Sequence, residues 1–594
     1  MSKPPRSQLS GWPRYRPSRT KGSCNLVKAF SSTAASAGSA EPPPSSTAQS
    51  TQKNSWSRTG SVLKGAEMDH ATNRAEAATD CDVLVIGGGL VGLTASMFLA
   101  QQGVQVTVVE RHASTSIHPK ARNLSIRTME LFREAGIDEA VRAAGDNRGD
   151  VGIGDTLAGA YDRVFRPFDT FDPPGQSPAI RAFCEQTRLE PIVRQRGEQL
   201  GATMLFGYAA VRVTQNPDSV AVDIARPDGT AMAPIVARYV IVADGANGTF
   251  RDTLGIGRHG EPLPGTGVSI QFDADLDALV ADRSITAFVS PTREAMLFLR
   301  GPGRDCHLLA LPPRADLDEL DFNSSDAQAI SLINSVLGVD DIDITVLDTA
   351  TWHTGAYVAD RYRTGRVFLV GDAAHINPPH GGYGANTGIA DAHNLAWKLA
   401  AACRADADDA LLDTYESERL PIAEYTVTEV LAMAKDSGSL GEGLAGPVNV
   451  TLGFRYPAPG AHGYDQRMPL QDPTDATGQP GTRIPHIALT GASTLDLVDP
   501  RGFILLAPEV SCYATALSSE PIPGITLRVV ADDQVSDVER WQKIFPSPET
   551  AGLLIRPDGV IAAQFTAASV YPPHAVQLAH AVQLAQTQAL HPDL

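Results

Sequence analysis

The chain lacks most of what nucleic-acid binding, zinc coordination or serine catalysis would need. Its formal net charge is −19. Phosphate backbones require clustered Lys and Arg, so nucleic acid is not an expected partner, and an anionic cofactor would need a local positive site. The six cysteines, Cys24, Cys81, Cys184, Cys306, Cys403 and Cys512, lie far apart. Without a CxxC pair, dithiol redox chemistry and zinc-ribbon spacing are excluded, and the cysteines read as reduced thiols. HExxH and GxSxG are absent too, so no metal site or serine nucleophile is expected. The first 40 residues hold seven Lys/Arg, no Asp or Glu, and no apolar h-region. That composition predicts a disordered tail over residues 1–79 and argues against a secretory signal. It is compatible with a transit peptide to an organelle such as the mitochondrion, with a functionless extension, or with a true start at Met68. The cytoplasm is the expected location otherwise.

Long apolar runs are scarce as well, with one exception. From Val83 to Ala100 eighteen residues carry no charge, about the length at which a membrane span becomes a candidate. Two features oppose that reading. VLVI is a β-branched strand pattern. Gly87, Gly88 and Gly89 follow at once, and adjacent glycines weaken a helix by about 1 kcal/mol each. The spacing is Gly87-x-Gly89-x-x-Gly92, then a helical stretch to Gly103, then VQVTVVE ending in Glu110. Strand, turn, helix, strand and acid in this order form a dinucleotide fingerprint. Gly87 allows the turn, Gly89 lets backbone approach a pyrophosphate, and Gly92 lets helix and strand pack. The helix N-terminus offers free N–H groups to phosphate. Glu110 is placed to accept from a ribose diol. No membrane association is expected.

Two further glycine-bearing motifs follow. In YVIVADG, Asp244-Gly245 ends a strand, where open α/β sheets bind ligands; an ordinary Asp-Gly turn is the plainer reading. In VFLVGDAAHINPPHGGYGAN, Gly371 permits close approach and Asp372 can accept from a polyol. His375 reads as a packed neighbour. The loop opens a helix from about Thr387, with Asn386 as its N-cap.

Together GGGLVG, ADG and GDAAHINPPHGGYGAN resemble the FAD-dependent aromatic hydroxylases, single-component flavoprotein monooxygenases of the p-hydroxybenzoate hydroxylase type. The likeness runs from about Cys81 to the C-terminus. It implies a Rossmann-type α/β FAD-binding domain (80–261 and 356–436) with an inserted β-sheet substrate domain (262–355). The strand-like runs VSIQF, ITAFV, EAMLFLR and CHLLALP fill that insertion. A helical stretch broken near Pro421 and a Pro/Gly-rich linker (437–482) would follow. Residues 483–594 resemble the thioredoxin-like domain of the subset acting on phenols and aromatic polyketides; lacking CxxC, it would serve packing or oligomerisation, and a homodimer stays open.

The resemblance also implies the site. The family's arginine before Ala121 is Lys120 here, with Arg122 nearby, and either supplies the positive charge. Gln186 matches a flavin-contacting glutamine. Ala385 and Asn386 match backbone contacts to the isoalloxazine, and Pro379 a proline near its reacting carbon. Leu90, Arg111 and Gly384 complete the expected cofactor contacts. No second GxGxxG follows a strand-like run, which fits NAD(P)H as a transient co-substrate. The implied reaction uses O₂ to hydroxylate a phenolic or polyketide ring through a flavin C4a-hydroperoxide. A Baeyer–Villiger or epoxidising monooxygenase, or an FAD-binding protein without turnover, would carry the same motifs. No residue is assigned as the substrate-deprotonating base.

Overall fold

The fold is taken from a computed structural model. It describes residues 79–565 except 119, 146–148, 166–173, 282, 284, 301–305, 319, 321–325, 405–408, 436–447, 459–462, 520 and 549–550. The tail through residue 78, with its targeting and disorder expectations, and residues 566–594 lie outside the described residues.

The VLVI run forms β1 (Cys81–Ile86), followed by α1 (Leu90–Gln101) and β2 (Val106–Glu110). Three more strands extend the parallel part of an eight-stranded sheet, whose remaining strands pair antiparallel at its edge: β3 (Thr203–Phe206), β4 (Ile235–Val242) and β5 (Val367–Leu369). The order is β5-β4-β1-β2-β3, with Val83 opposite both Val106 and Tyr239. A strand buried on both faces needs apolar residues throughout, which explains why β1 does not alternate. The same logic accounts for α1. It is apolar on all sides because sheet and helices cover it on all sides: α1 packs on α3 (Gln186–Gln199) and α4 (Tyr383–Cys403), and α2 (Ile126–Glu134) also packs on α4. Leu93, Met97, Phe98 and Leu99 are buried there, each contributing about 1.5–3 kcal/mol. Gly103 sits just past the helix at φ +83°, the left-handed geometry that ends helices. Among the described residues no helix is long and apolar enough to cross a membrane.

A second sheet has seven strands, in the order 345–352, 266–273, 307–314, 295–298, 285–290, 150–154, 161–165. Two of them, Asp150–Gly154 and Tyr161–Phe165, come from outside the window 262–355, so that boundary is corrected. DVGIG alternates Val151 and Ile153 with one Asp and two Gly, too short and glycine-rich a run to stand out as a strand. Gly152 is required, since a Cβ there would meet the Tyr161 ring at 2.6 Å. One sheet face, with Val268, Ile270, Phe272 and Leu309, is sealed by the helix Ala327–Leu337.

Two expectations fail beyond this sheet. α5 (Asp409–Lys435) runs unbroken through Pro421. The lost N–H and ring clash cost about 3 kcal/mol, offset by a buried face that includes Leu412, Tyr415, Ala423 and Val427. The 437–482 segment is not a bare linker either: Phe454 and Tyr456 pack against Ile422 and Val560.

The C-terminal sheet orders its strands 525–530, 503–508, 552–555, 561–565. The first pair is parallel and the rest antiparallel. None of the described cysteines is joined in a disulfide. The C-terminal part docks through buried charge. Arg556 binds Glu418 at 2.6 and 2.9 Å, and also Asp558. Lys398 reaches Glu418 at 2.7 Å. Arg483 and Arg127 grip Glu130 at 2.6 and 2.9 Å. Removing one member of such a cluster costs about 3–5 kcal/mol, because its partner is left charged and buried.

Glu130 gives a test. Burial pushes its carboxyl up, but Arg483 and Arg127 outweigh that and hold it at about 2, against an ordinary 4.5. A depressed carboxyl stabilises fully above its unfolded value and loses that stability as pH falls towards the folded one. Between pH 4.5 and about 2, on the order of 3 kcal/mol should therefore disappear. Urea midpoints across that range should fall more shallowly in Glu130→Gln, which starts out less stable at neutral pH. An unchanged acid slope would contradict the assignment.

Candidate active site

The three glycine loops meet at the carboxyl ends of β1, β4 and β5. Gly87, at φ +106°, lies so close to the end of β4 that a Cβ would stand 2.3 Å from the Ala243 oxygen. A Cβ on Gly92 would be 1.9 Å from the Gly87 oxygen. Gly371, at φ +58°, and Gly388 both press on Val91 of α1. By contrast, a Cβ on Gly89 or Gly245 would meet nothing within 4 Å. The first and third glycines of the fingerprint are thus used for packing, while the second borders open space, beside Leu90 at the start of α1.

Several polar atoms here have no partner. Asp244 Oδ1, Asn377 Oδ1 and His380 Nδ1 are buried without hydrogen bonds, each a cost of about 1–3 kcal/mol unless a ligand supplies the partner. Asp244 Oδ2 accepts from the Phe250 N–H at 3.2 Å, so the turn reading and a ligand role coexist. Asp372 is reachable by solvent yet enclosed by protein, and that enclosure raises its carboxyl above the usual range despite Lys120 and His375. Among the described residues nothing hydrogen-bonds it. Burial likewise raises Asp244.

Glu110 accepts from the Gly88 N–H at 2.6 Å on Oε2, and its Oε1 meets the His112 N–H at 2.8 Å and His112 Nδ1 at 2.6 Å; a lone pair on Oε2 remains for a further donor. Arg111 follows it, exposed, with its charge felt at Asp244. Gln186 accepts from the Ala121 N–H at 3.0 Å and donates to Glu190 at 2.7 Å, which pins the 120–122 segment. Lys120 is exposed. Arg122 instead stacks over Phe298 at 4.6 Å, so the two candidate cations are divided between the nucleotide loop and the second sheet.

The helix after the third loop opens earlier than expected. α4 begins at Tyr383 with Gly382 before it, and no side chain caps it. Asn386 is therefore no N-cap. Gly381 and Gly382 both take left-handed φ, so the chain enters the helix sooner. Asn386 is turned sideways, accepting from the Ser125 N–H at 2.8 Å and donating to the Asn123 and Gly382 carbonyls at 2.9 and 2.7 Å. Gly384 and Ala385 lie in the uncapped first turn, next to Pro379 in the same loop. Sequence reasoning missed Asp391 and Arg419, a buried pair at 2.8 Å; nothing in their spacing marks them.

The face of the second sheet opposite the helix Ala327–Leu337 lies nearby, with Val151, Ala287 and Leu308 on it buried. Strand pairing places Asp348, Gln271, Leu308, Phe298, Ala287 and Val151 in one row. The row is polar at one end and apolar for the rest. His118 meets Asp348 at 3.1 Å, and with Arg122 over Phe298 this lays the 118–122 loop along the face. The arrangement suits a flat apolar ring system with a polar edge.

The family model described as an FAD binding domain matches residues 80–430. The chain is 34% identical over 511 residues to 4-methyl-5-nitrocatechol 5-monooxygenase of Burkholderia sp, covering 81% of this chain and 93% of that protein. Tetracenomycin B2 monooxygenase-dioxygenase of Streptomyces olivaceus is 35% identical, with 81% and 94% covered. Among solved structures, aklavinone-11 hydroxylase in complex with FAD and aklavinone superposes with a TM-score of 0.76 at 31% identity, over 86% of this chain and 99% of that one.

Gly92→Ala is the sharpest probe of the first loop, because its methyl cannot fit beside the Gly87 oxygen. Gly89→Ala meets no protein atom. The first should lower the melting temperature by several degrees; the second should leave it unchanged and weaken only ligand uptake. Equal melting temperatures for both would contradict the division of roles.

Proposed function

The chain belongs to the family of FAD-dependent aromatic hydroxylases, and we propose that it hydroxylates a polycyclic phenol, of aromatic polyketide type, with NAD(P)H as reductant. It is an FAD-dependent aromatic monooxygenase; the substrate class is the proposal. The observation that carries it is the adjacency of two surfaces: unpartnered polar atoms where three glycine loops converge, and a broad apolar sheet face polar at one edge. Relatives named for aklavinone and tetracenomycin, both larger than a simple benzoate, support the same substrate class.

The unpartnered atoms fit FAD. We assign Gly89 and Leu90 to its pyrophosphate, with Gly87 and Gly92 letting the loop close beneath it, Glu110 to its ribose diol, and Arg111 and Lys120 to its negative charge. Asp244 and Asp372 would accept from free hydroxyls of its polyol chain. The first turn of α4, with Gly384, Ala385 and Asn386, points uncapped N–H groups that favour negative charge on the ring. Gln186, Arg122, Gly371 and Pro379 would shape the rest of the cradle. FAD, when bound, supplies the hydride acceptor and activates O₂. The protein's share is to hold the aromatic ring under the sheet and to exclude water, which would otherwise divert the oxidation to hydrogen peroxide. The apolar row from Leu308 to Val151 serves both purposes, and Asp348 with Gln271 would receive the polar edge. We further assign residues 483–565 to a thioredoxin-like fold with a packing role, supported by the mixed four-stranded order and the missing CxxC.

The test is NAD(P)H oxidation across a panel of monocyclic and polycyclic phenols, with peroxide and products measured in parallel. Polycyclic phenols should stimulate oxidation most, with much less peroxide than NAD(P)H consumed. Strong stimulation by simple benzoates alone, or peroxide equal to NAD(P)H with every phenol, would contradict the proposal.

A further inference from the structure

The third glycine loop is held from behind by one carboxylate. Asp391 lies in α4, one turn past the N-terminal turn, and is fully buried. Its Oδ2 accepts from the Gly371 N–H at 3.2 Å and from His375 Nε2 at 2.6 Å. Its Oδ1 accepts from Arg419 Nε at 2.8 Å. One side chain thus fixes the first and last residues of Gly-Asp-Ala-Ala-His, with Asp372 between them. Arg419 extends the anchor. It donates to the Thr387 carbonyl in α4 at 3.3 Å and to the Tyr456 hydroxyl at 3.1 Å. Tyr456 comes from the Pro/Gly-rich segment, and the Arg556 guanidinium of the C-terminal sheet stands 5.6 Å over its ring. The ring of Tyr362 stacks on His375 from the other side. A continuous buried path therefore runs from the loop to the C-terminal sheet.

We propose that Asp391, fixed by Arg419 and Tyr456, is a positioning residue that sets the 371–375 loop against the bound flavin. This rests on the reading that FAD lies at that loop. Asp391 does not face the reacting atoms; it acts through Gly371, Asp372 and His375. The chemistry demands a carboxylate. Three donors converge on two acceptor oxygens, and an asparagine would turn an N–H toward Gly371 or Arg419, donor against donor. Gly371 would then be released, and Asp372 with it. A carboxylate at such a distance from solvent survives only because Arg419 compensates its charge.

The experiment compares Asp391→Asn and Tyr456→Phe with the wild-type holoenzyme. Four quantities are read: FAD affinity by fluorescence quenching, the visible flavin spectrum, the peroxide fraction of NAD(P)H oxidation, and the melting temperature. Asp391→Asn should weaken FAD binding by at least about tenfold, the loss of one charged hydrogen bond, with a shifted spectrum and a larger peroxide fraction well below its melting temperature. Should that variant fail to fold, Tyr456→Phe decides. It removes only one hydroxyl, which does not belong to the 371–375 loop, so it should shift the spectrum and raise the peroxide fraction while lowering the melting temperature by no more than a few degrees. If the deciding variant matches wild type in affinity, spectrum and peroxide fraction, or differs in melting temperature alone, the inference is overturned. A wild-type chain that takes up no FAD overturns the underlying functional reading and this inference together.

Discussion

The site depends on one close approach. The backbone of Gly87 is packed between the end of β4 and the first turn of α1, at distances no side chain at positions 87 or 92 would permit. This contact brings two of the three loops to one place. Val91, one residue before Gly92, then fills the space against Gly371 and Gly388 and adds the third. The glycines therefore do different work. Some let backbones touch, and Gly89 leaves room for something that is not protein. Conformational freedom matters at Gly87 and Gly371, whose φ values lie in the left-handed region.

Behind this contact stands a second layer of buried charge. α4 and α5 carry Asp391, Lys398, Glu418 and Arg419, and the C-terminal sheet contributes Arg556 and Asp558. Burying ions is costly unless each is paired. The C-terminal part supplies Arg556, one of the two cations that Glu418 needs, so it is integral to the helix pair next to the third glycine loop. Lys398, fully buried, is pushed down to about 8 by burial in spite of Glu418, a sign of how strongly this layer is desolvated. With Asp391 positioning the 371–375 loop as proposed, stability and cofactor geometry are linked through it.

Much of this was legible in the residues. The glycine spacing, the β-branched run before it and Glu110 after it have local physical causes, and the structure shows the same strand, helix and strand. Other features were not local. Asp150–Gly154 is a strand because it pairs between 285–290 and 161–165 in a neighbouring sheet, and its own glycines conceal it. Asn386 looked like a cap because its residue type prefers that place; two left-handed glycines just upstream moved the helix start and freed it to bind the 123–128 segment. Pro421 is carried through α5 by tertiary burial that propensity does not register. Asp391 and Arg419 lie 28 residues apart on different helices, and only the fold brings them together.

The central claim is that the three loops converge on one FAD. Titration of flavin-free protein with FAD, followed by fluorescence quenching, tests it most directly. Saturation at one FAD per chain, with the protein turning yellow, is the expected outcome. No uptake, or uptake unaffected when Asp244 and Asp372 are both replaced by alanine, would contradict it.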